Sequence, residues 1–133
     1  MTLEELRRGA GTEFLFHYTD AAKADAIVAD RLFIAGPRGA HGFGVYATDI
    51  APVNGETIDD VIIHCFRGDA QAIEVNHAIA VRVSAFGHRF ERTADPYQWV
   101  LPTGQLELVY LEGFYVATLE FGGRDWLIID QDE

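Results

Sequence analysis

Cysteine is nearly missing from this chain. Cys65 stands alone among 133 residues, which excludes an internal disulfide and leaves stability to the core. Positive charge is scarce too: ten Lys and Arg face 21 Asp and Glu, a formal charge of -11. The mean field therefore repels phosphate backbones and anionic lipid, and docking on nucleic acid is not expected. No apolar run approaches the ~18 residues of a membrane span. Met1 leads into Leu3-Glu4-Glu5-Leu6-Arg7-Arg8, which lacks the apolar core of a secretory signal. No Walker-type loop, Gly-x-Gly-x-x-Gly or serine elbow occurs. His41, His64, His77 and His88 share no metal-ligand spacing with Cys65, so no metal is expected. Cys65 itself sits in an apolar helical pattern and reads as core filler, although a Cys/His nucleophilic pair is the alternative.

What remains describes a folded domain. Apolar residues make up 49% of the chain, which excludes disorder, and a chain of this length buries roughly two-thirds of the surface its unfolded form exposes. No repeat, linker or low-complexity tract divides residues 1–133, so one domain is expected. Thr2 and Glu5 have capping-box spacing ahead of a short helix that ends by Gly9-Ala10-Gly11. Glu13 to Tyr18 is strand-like. Thr19 or Asp20 then caps a helix with the narrow apolar stripe Ala24, Ile27 and Val28, ending near Arg31. Leu32-Phe33-Ile34 is a short strand before the breaker cluster Gly36-Pro37-Arg38-Gly39, read as a flexible turn.

Gly42 to Thr48 is the next strand, and Thr57 to Phe66 a helix stopped by Gly68-Asp69. From Asn76 the period becomes two: Ile79, Val81 and Val83 alternate with Ala80, Arg82 and Ser84, as in a half-buried strand. Tyr97 to Leu101, Leu106 to Leu111, Phe114 to Glu120 and Trp126 to Ile129 complete the strands. With helices early and strands late, the reading is α+β with a largely antiparallel sheet.

Two segments carry chemistry. Phe16-His17-Tyr18-Thr19 closes an apolar run with polar side chains, and about one helix later Gly42-Phe43-Gly44-Val45-Tyr46-Ala47-Thr48-Asp49 sets an aromatic behind two glycines. His17 can donate from one ring nitrogen and accept at the other, which suits paired hydroxyls; its structural alternative is a strand-end histidine satisfied by backbone. Tyr46 offers a ring face to a cation, or else is a core aromatic. Gly42 and Gly44 allow close approach of a ligand, or simply serve turn geometry. Asp49 is expected to fix the turn before Pro52.

The order His-Tyr-Thr, helix, short strand, Gly-rich turn, Gly-Val-Tyr-x-Thr-Asp resembles the ADP-ribosyltransferase superfamily, and within it the His-Tyr-Asp branch of bacterial polymorphic toxins. The likeness spans about Phe14 to Glu112. It implies a split antiparallel sheet whose cleft holds NAD as co-substrate without a metal, with one signature residue from each of three strands. The first two are His17 and Tyr46. For the third, Leu101-Pro102-Thr103-Gly104-Gln105-Leu106-Glu107-Leu108 offers Glu107, a carboxylate in place of the branch's Asp. Gln105, two residues earlier on the same side of an extended strand, is the alternative.

The resemblance further implies that the backbone of Tyr18 grips the nicotinamide carboxamide while its side chain packs. Thr19 either meets ribose or caps the helix, with capping preferred, Gly44 lies against the ligand, and Arg38 is the candidate for the pyrophosphate. Cleaving the nicotinamide–ribose bond builds positive charge on the ribose, as in glycoside cleavage, so the demands are positioning and electrostatics. The expected activity is transfer of ADP-ribose with release of nicotinamide, in a toxin or effector. The expected location is the cytoplasm or a target cell reached by dedicated secretion, and a cognate inhibitor protein is a possible partner. The alternatives are an NAD glycohydrolase using the same pocket, and a non-catalytic module that binds a nucleotide or a basic protein. The acceptor is not identified by any motif.

Overall fold

The computed structural model describes residues 1–34, 36–39, 42–65, 75–105 and 107–131, with 36–39 described in their backbone only. The fold is α+β and mostly antiparallel, as the sequence predicts. Helix α1 (Leu3–Arg8) is capped by Thr2, whose hydroxyl accepts the Glu5 N–H at 3.2 Å. Strand β1 (Phe14–Thr19) leads into α2 (Ala21–Asp30), then β2 (Leu32–Ile34), β3 (Gly36–Gly39) and β4 (Gly42–Thr48). Helix α3 (Glu56–Cys65) precedes β5 (His77–Arg82). The short strands β6 (Ser84–Ala85), β7 (His88–Arg89) and β8 (Glu91–Arg92) follow, then β9 (Gln98–Pro102), β10 (Leu108–Tyr110), β11 (Tyr115–Phe121) and β12 (Trp126–Gln131).

The main sheet runs β12-β11-β5-β1-β4-β9-β8, with β3 attached to β4 as the eighth strand. Two small two-stranded sheets, β10-β2 and β6-β7, flank it. Alternation along β1 divides the core. Phe14, Phe16 and Tyr18 join Leu6, Val61 and Trp126 on one face, while Leu15 packs with Phe33, Val45 and Leu101 on the other. Each such side chain contributes roughly 1.5–3 kcal/mol when fully buried.

Several expectations need correction. β5 is buried on both faces from His77 to Val81, because both cores press on it, so its period-two pattern does not mark a solvent face. The helix after β1 is capped by Asp20, whose carboxylate accepts the Lys23 N–H at 2.8 Å; Thr19 is instead a buried strand residue. Gly36 to Gly39 is a strand rather than a flexible turn. Pro37 is tolerated there because β3 pairs along one side only and its register shifts between Gly36 and Gly39. Gln105 lies in a turn and Glu107 just ahead of β10, so the two do not share an extended strand. Phe66, Gly68 and Asp69, expected to end α3, and His41 and Leu106 lie outside the described residues. Among the described residues no helix is long and apolar enough to cross a membrane.

Candidate active site

The site is built where the sheet splits. β1 pairs with β5 along its whole length, but its pairing with β4 has a single registered couple, Phe16 with Thr48. Farther back along β4, Gly44 pairs with Pro102 of β9 on one edge and with Gly36 of β3 on the other. The inner edge of β4 therefore changes partner, from β1 at Thr48 to β3 at Gly44, and Tyr46 sits in the gap between. His17 fills that gap: its Nδ1 lies 2.7 Å from the Tyr46 carbonyl oxygen.

This contact sets the imidazole's chemistry. A carbonyl only accepts, so Nδ1 carries the proton and Nε2 presents a lone pair in the neutral ring. Burial pushes the His17 pKa below its ordinary 6.5; the bond to the Tyr46 carbonyl opposes this, and the positive charge of Lys23 adds to the lowering. At neutral pH the ring is uncharged and Nε2 is an acceptor. Edge-on contact with Phe33, ring centroids 5.0 Å apart, holds it in place.

Main-chain direction adds a second feature. Val83 N–H donates to Glu13 O at 2.9 Å, which fixes the alternation along β1: the groups of Leu15, His17 and Thr19 face β5, and those of Phe16 and Tyr18 face β4. Phe16 finds Thr48 there, whereas Tyr18 has no registered partner on β4. Its N–H and C=O point into the split. The Tyr18 side chain packs, edge-on to Trp126 with its hydroxyl donating to Ile50 O at 2.7 Å.

Two cavities open from the split, one on each face. The larger, about 390 Å³, is lined by His17, Thr19, Lys23, Ile27, Asp30, Phe33, Gly44 and Tyr46 among others. The smaller, about 70 Å³, is lined by Tyr18, Tyr46, Thr48, Cys65 and Gln98 among others, with His17 again in its wall. His17 and Tyr46 thus border both. By register their side chains leave opposite faces of the sheet, since Phe16 opposite Thr48 places Tyr46 on the Tyr18 face. The Tyr46 phenol turns back along its own strand and donates to Gly42 O at 2.6 Å.

The structure brings His17, Tyr18, Thr19, Gly44 and Tyr46 together. It does not bring Glu107 or Gln105 to them. Glu107 is exposed, its carboxylate accepts the Gly104 N–H at 2.8 Å, and it lines a third cavity that shares no residue with the other two. Gln105 is an exposed turn residue. The side chain of Arg38 lies outside the described residues. Gly44 is required by β9: a Cβ there would run into the Leu101 carbonyl oxygen and stand 2.7 Å from Val100 Cγ2. Asp49 does not hold the turn as expected; it accepts the Trp99 indole N–H at 3.1 Å and ties β4 to β9.

Three polar residues at the split escaped sequence reasoning: Lys23 and Asp30 at the larger cavity and Gln98 at the smaller. Lys23, the one lysine in the chain, borders the larger cavity; helical spacing from the Asp20 cap was the available signal. Gln98 borders the smaller one, and its amide donates to His64 O at 3.0 Å; no motif marks it. Burial raises the Cys65 thiol above its ordinary pKa, with Asp49 adding to the rise against a bond to Thr48, which leaves it protonated and a poor nucleophile. Among the described residues no three His, Cys, Asp or Glu side chains group as a metal site. No family model matches this sequence, and no curated protein or solved structure does either.

Proposed function

We propose that the split between β1 and β4 binds NAD and that the protein is an NAD-dependent ADP-ribosyltransferase, acting as a toxin or effector on an acceptor still to be identified. The observation that carries the reading is the split itself. A neutral imidazole is fixed by a main-chain carbonyl beside a residue whose main-chain groups face the gap between β1 and β4, at the mouth of a cavity of about 390 Å³, within the roughly 300–1,000 Å³ of small-molecule sites.

In this reading the Tyr18 N–H and C=O take the nicotinamide carboxamide, and the Tyr46 ring faces the pyridinium. His17 Nε2 accepts from a ribose hydroxyl. Because the ring is uncharged, it does not repel the pyridinium in the bound substrate. Thr19 adds a hydroxyl, and Lys23 supplies positive charge for the pyrophosphate. Gln98, which borders the smaller cavity, takes the third role in place of Glu107. As nicotinamide leaves neutral, positive charge passes to the ribose, and the oriented carbonyls and amide oxygens at the split stabilise it.

A second reading, binding without turnover, draws on one observation: the expected carboxylate, Glu107, lines another cavity. Incubating the protein with NAD and measuring nicotinamide decides between them. Release that disappears in His17→Ala, with the fold intact by circular dichroism, supports the enzyme; calorimetric binding without release supports the module. Free ADP-ribose accumulating without an added acceptor identifies water as the acceptor.

A further inference from the structure

We propose that the free edge of β10 binds an extended protein segment bearing lysine or arginine, which adds to it as a strand. β10 pairs with β2 along one side. Leu111 N–H donates to Arg31 O at 3.0 Å, so the main-chain groups of Val109 face β2 and those of Leu108 and Tyr110 face away. Among the described residues these outward groups have no hydrogen-bond partner. Such an edge is a template for another chain.

The edge opens on a groove rather than on flat surface. Its cavity of about 260 Å³ is walled on the far side by Phe86 and His88 of the β6-β7 hairpin and by Pro102 of β9. Phe86 is 75% exposed and held at φ 47, a backbone region costly for a bulky side chain, and it presents its ring at the rim. The groove therefore joins the residues of the β10 edge to the apolar side chains of Phe86 and Pro102, with His88 and the glutamates as its polar part.

Charge selects the occupant. Glu107 and Glu112 stand just before and just after β10, both line the groove, and among the described residues no lysine or arginine lines it. A segment with a cation at each end of a four-residue extended stretch places one charge against each carboxylate while its backbone pairs with Leu108 and Tyr110. The net charge of -11 favours approach of such a segment. The groove shares no residue with the split, so the proposal stands apart from the function argued above.

The test uses the whole protein and a fluorescein-labelled hexapeptide, Lys-Val-Thr-Val-Thr-Lys, followed by anisotropy in about 20 mM salt. Saturable binding is expected, weakened about tenfold or more by Glu112→Lys and by N-methylation of alternate peptide amides that leaves its charge intact. A hexapeptide with glutamate in place of lysine is expected not to bind. Failure of the parent peptide to bind overturns the proposal. So does equal binding of the N-methylated peptide, which reduces the effect to charge attraction, or equal binding after Glu112→Lys.

Discussion

The imidazole Nδ1 of His17 reaches the Tyr46 carbonyl oxygen at 2.7 Å, so one side chain bridges the place where two strands of a sheet stop pairing. The bond fixes the tautomer, the ring's orientation and the width of the split together. Its replacement has consequences for stability and for binding that separate by pH.

The His17 pKa is lowered in the folded protein. Above the unfolded value of about 6.5 the neutral ring costs nothing. As pH falls from there toward the folded value, the unfolded chain takes up the proton more readily, and stability declines until both states are protonated. Urea unfolding between pH 7.5 and 4.5 should show this slope in the wild type and lose it in His17→Asn. NAD affinity should hold through the upper part of that window and decline only at lower pH, as the folded protein's own ring takes up a proton below its lowered pKa and repels the pyridinium.

Tyr46 is expected to act through its ring. Tyr46→Phe removes the bond to Gly42 O but keeps the aromatic face, so NAD affinity should stay within a few-fold. Tyr46→Ala should lose roughly 0.5–2 kcal/mol of binding, the scale of a cation–π contact. Calorimetric titration of both variants checks this, and equal losses would assign the effect to the hydroxyl.

Gln98 and Glu107 compete for the third role. Gln98→Ala should lower turnover by roughly a hundredfold, the lower end of the cost of one electrostatic contact in an active site, with less effect on NAD binding. Glu107→Gln should cost much less. The reverse ranking in nicotinamide-release rates would return the role to the loop between β9 and β10.

Gly44→Ala should destabilise the fold by about 1–3 kcal/mol, the usual cost of overpacking, since the new methyl meets main chain that cannot step aside. Thermal unfolding measures this, and an unchanged midpoint would show that β9 shifts freely.

Much of this architecture is legible in the chain. The stripe of α2, the apolar run of β1 and the glycine-flanked β4 follow from local rules, while the cap of α2 stays open between Thr19 and Asp20 in the sequence; His17, Thr19, Gly44 and Tyr46 come from those segments. The exchange of β1 for β3 beside Tyr46 is not legible, because it depends on partners distant in sequence. Gln98 and Lys23 carry no motif and reach the split only through pairing with β4 and the turn of a helix. Glu107 looked right by type and spacing. Its neighbourhood is set by a loop whose carboxylate satisfies Gly104 rather than a ligand.

The pairing of β1 also bears on how the protein is made. Leu15 lies opposite Val81, and Tyr46 opposite Val100. Leu6 of α1 covers part of the apolar face of β1 early, but the long ladder partner of β1 is β5, which emerges only after α3. Pairing across such separations is slow, and the exposed strand is open to aggregation meanwhile. Both walls of the split therefore mature late: a nascent chain that stops short of β9 has the histidine and the tyrosine but no complete frame to hold them apart. Any activity of the split must wait until nearly the whole polypeptide has emerged.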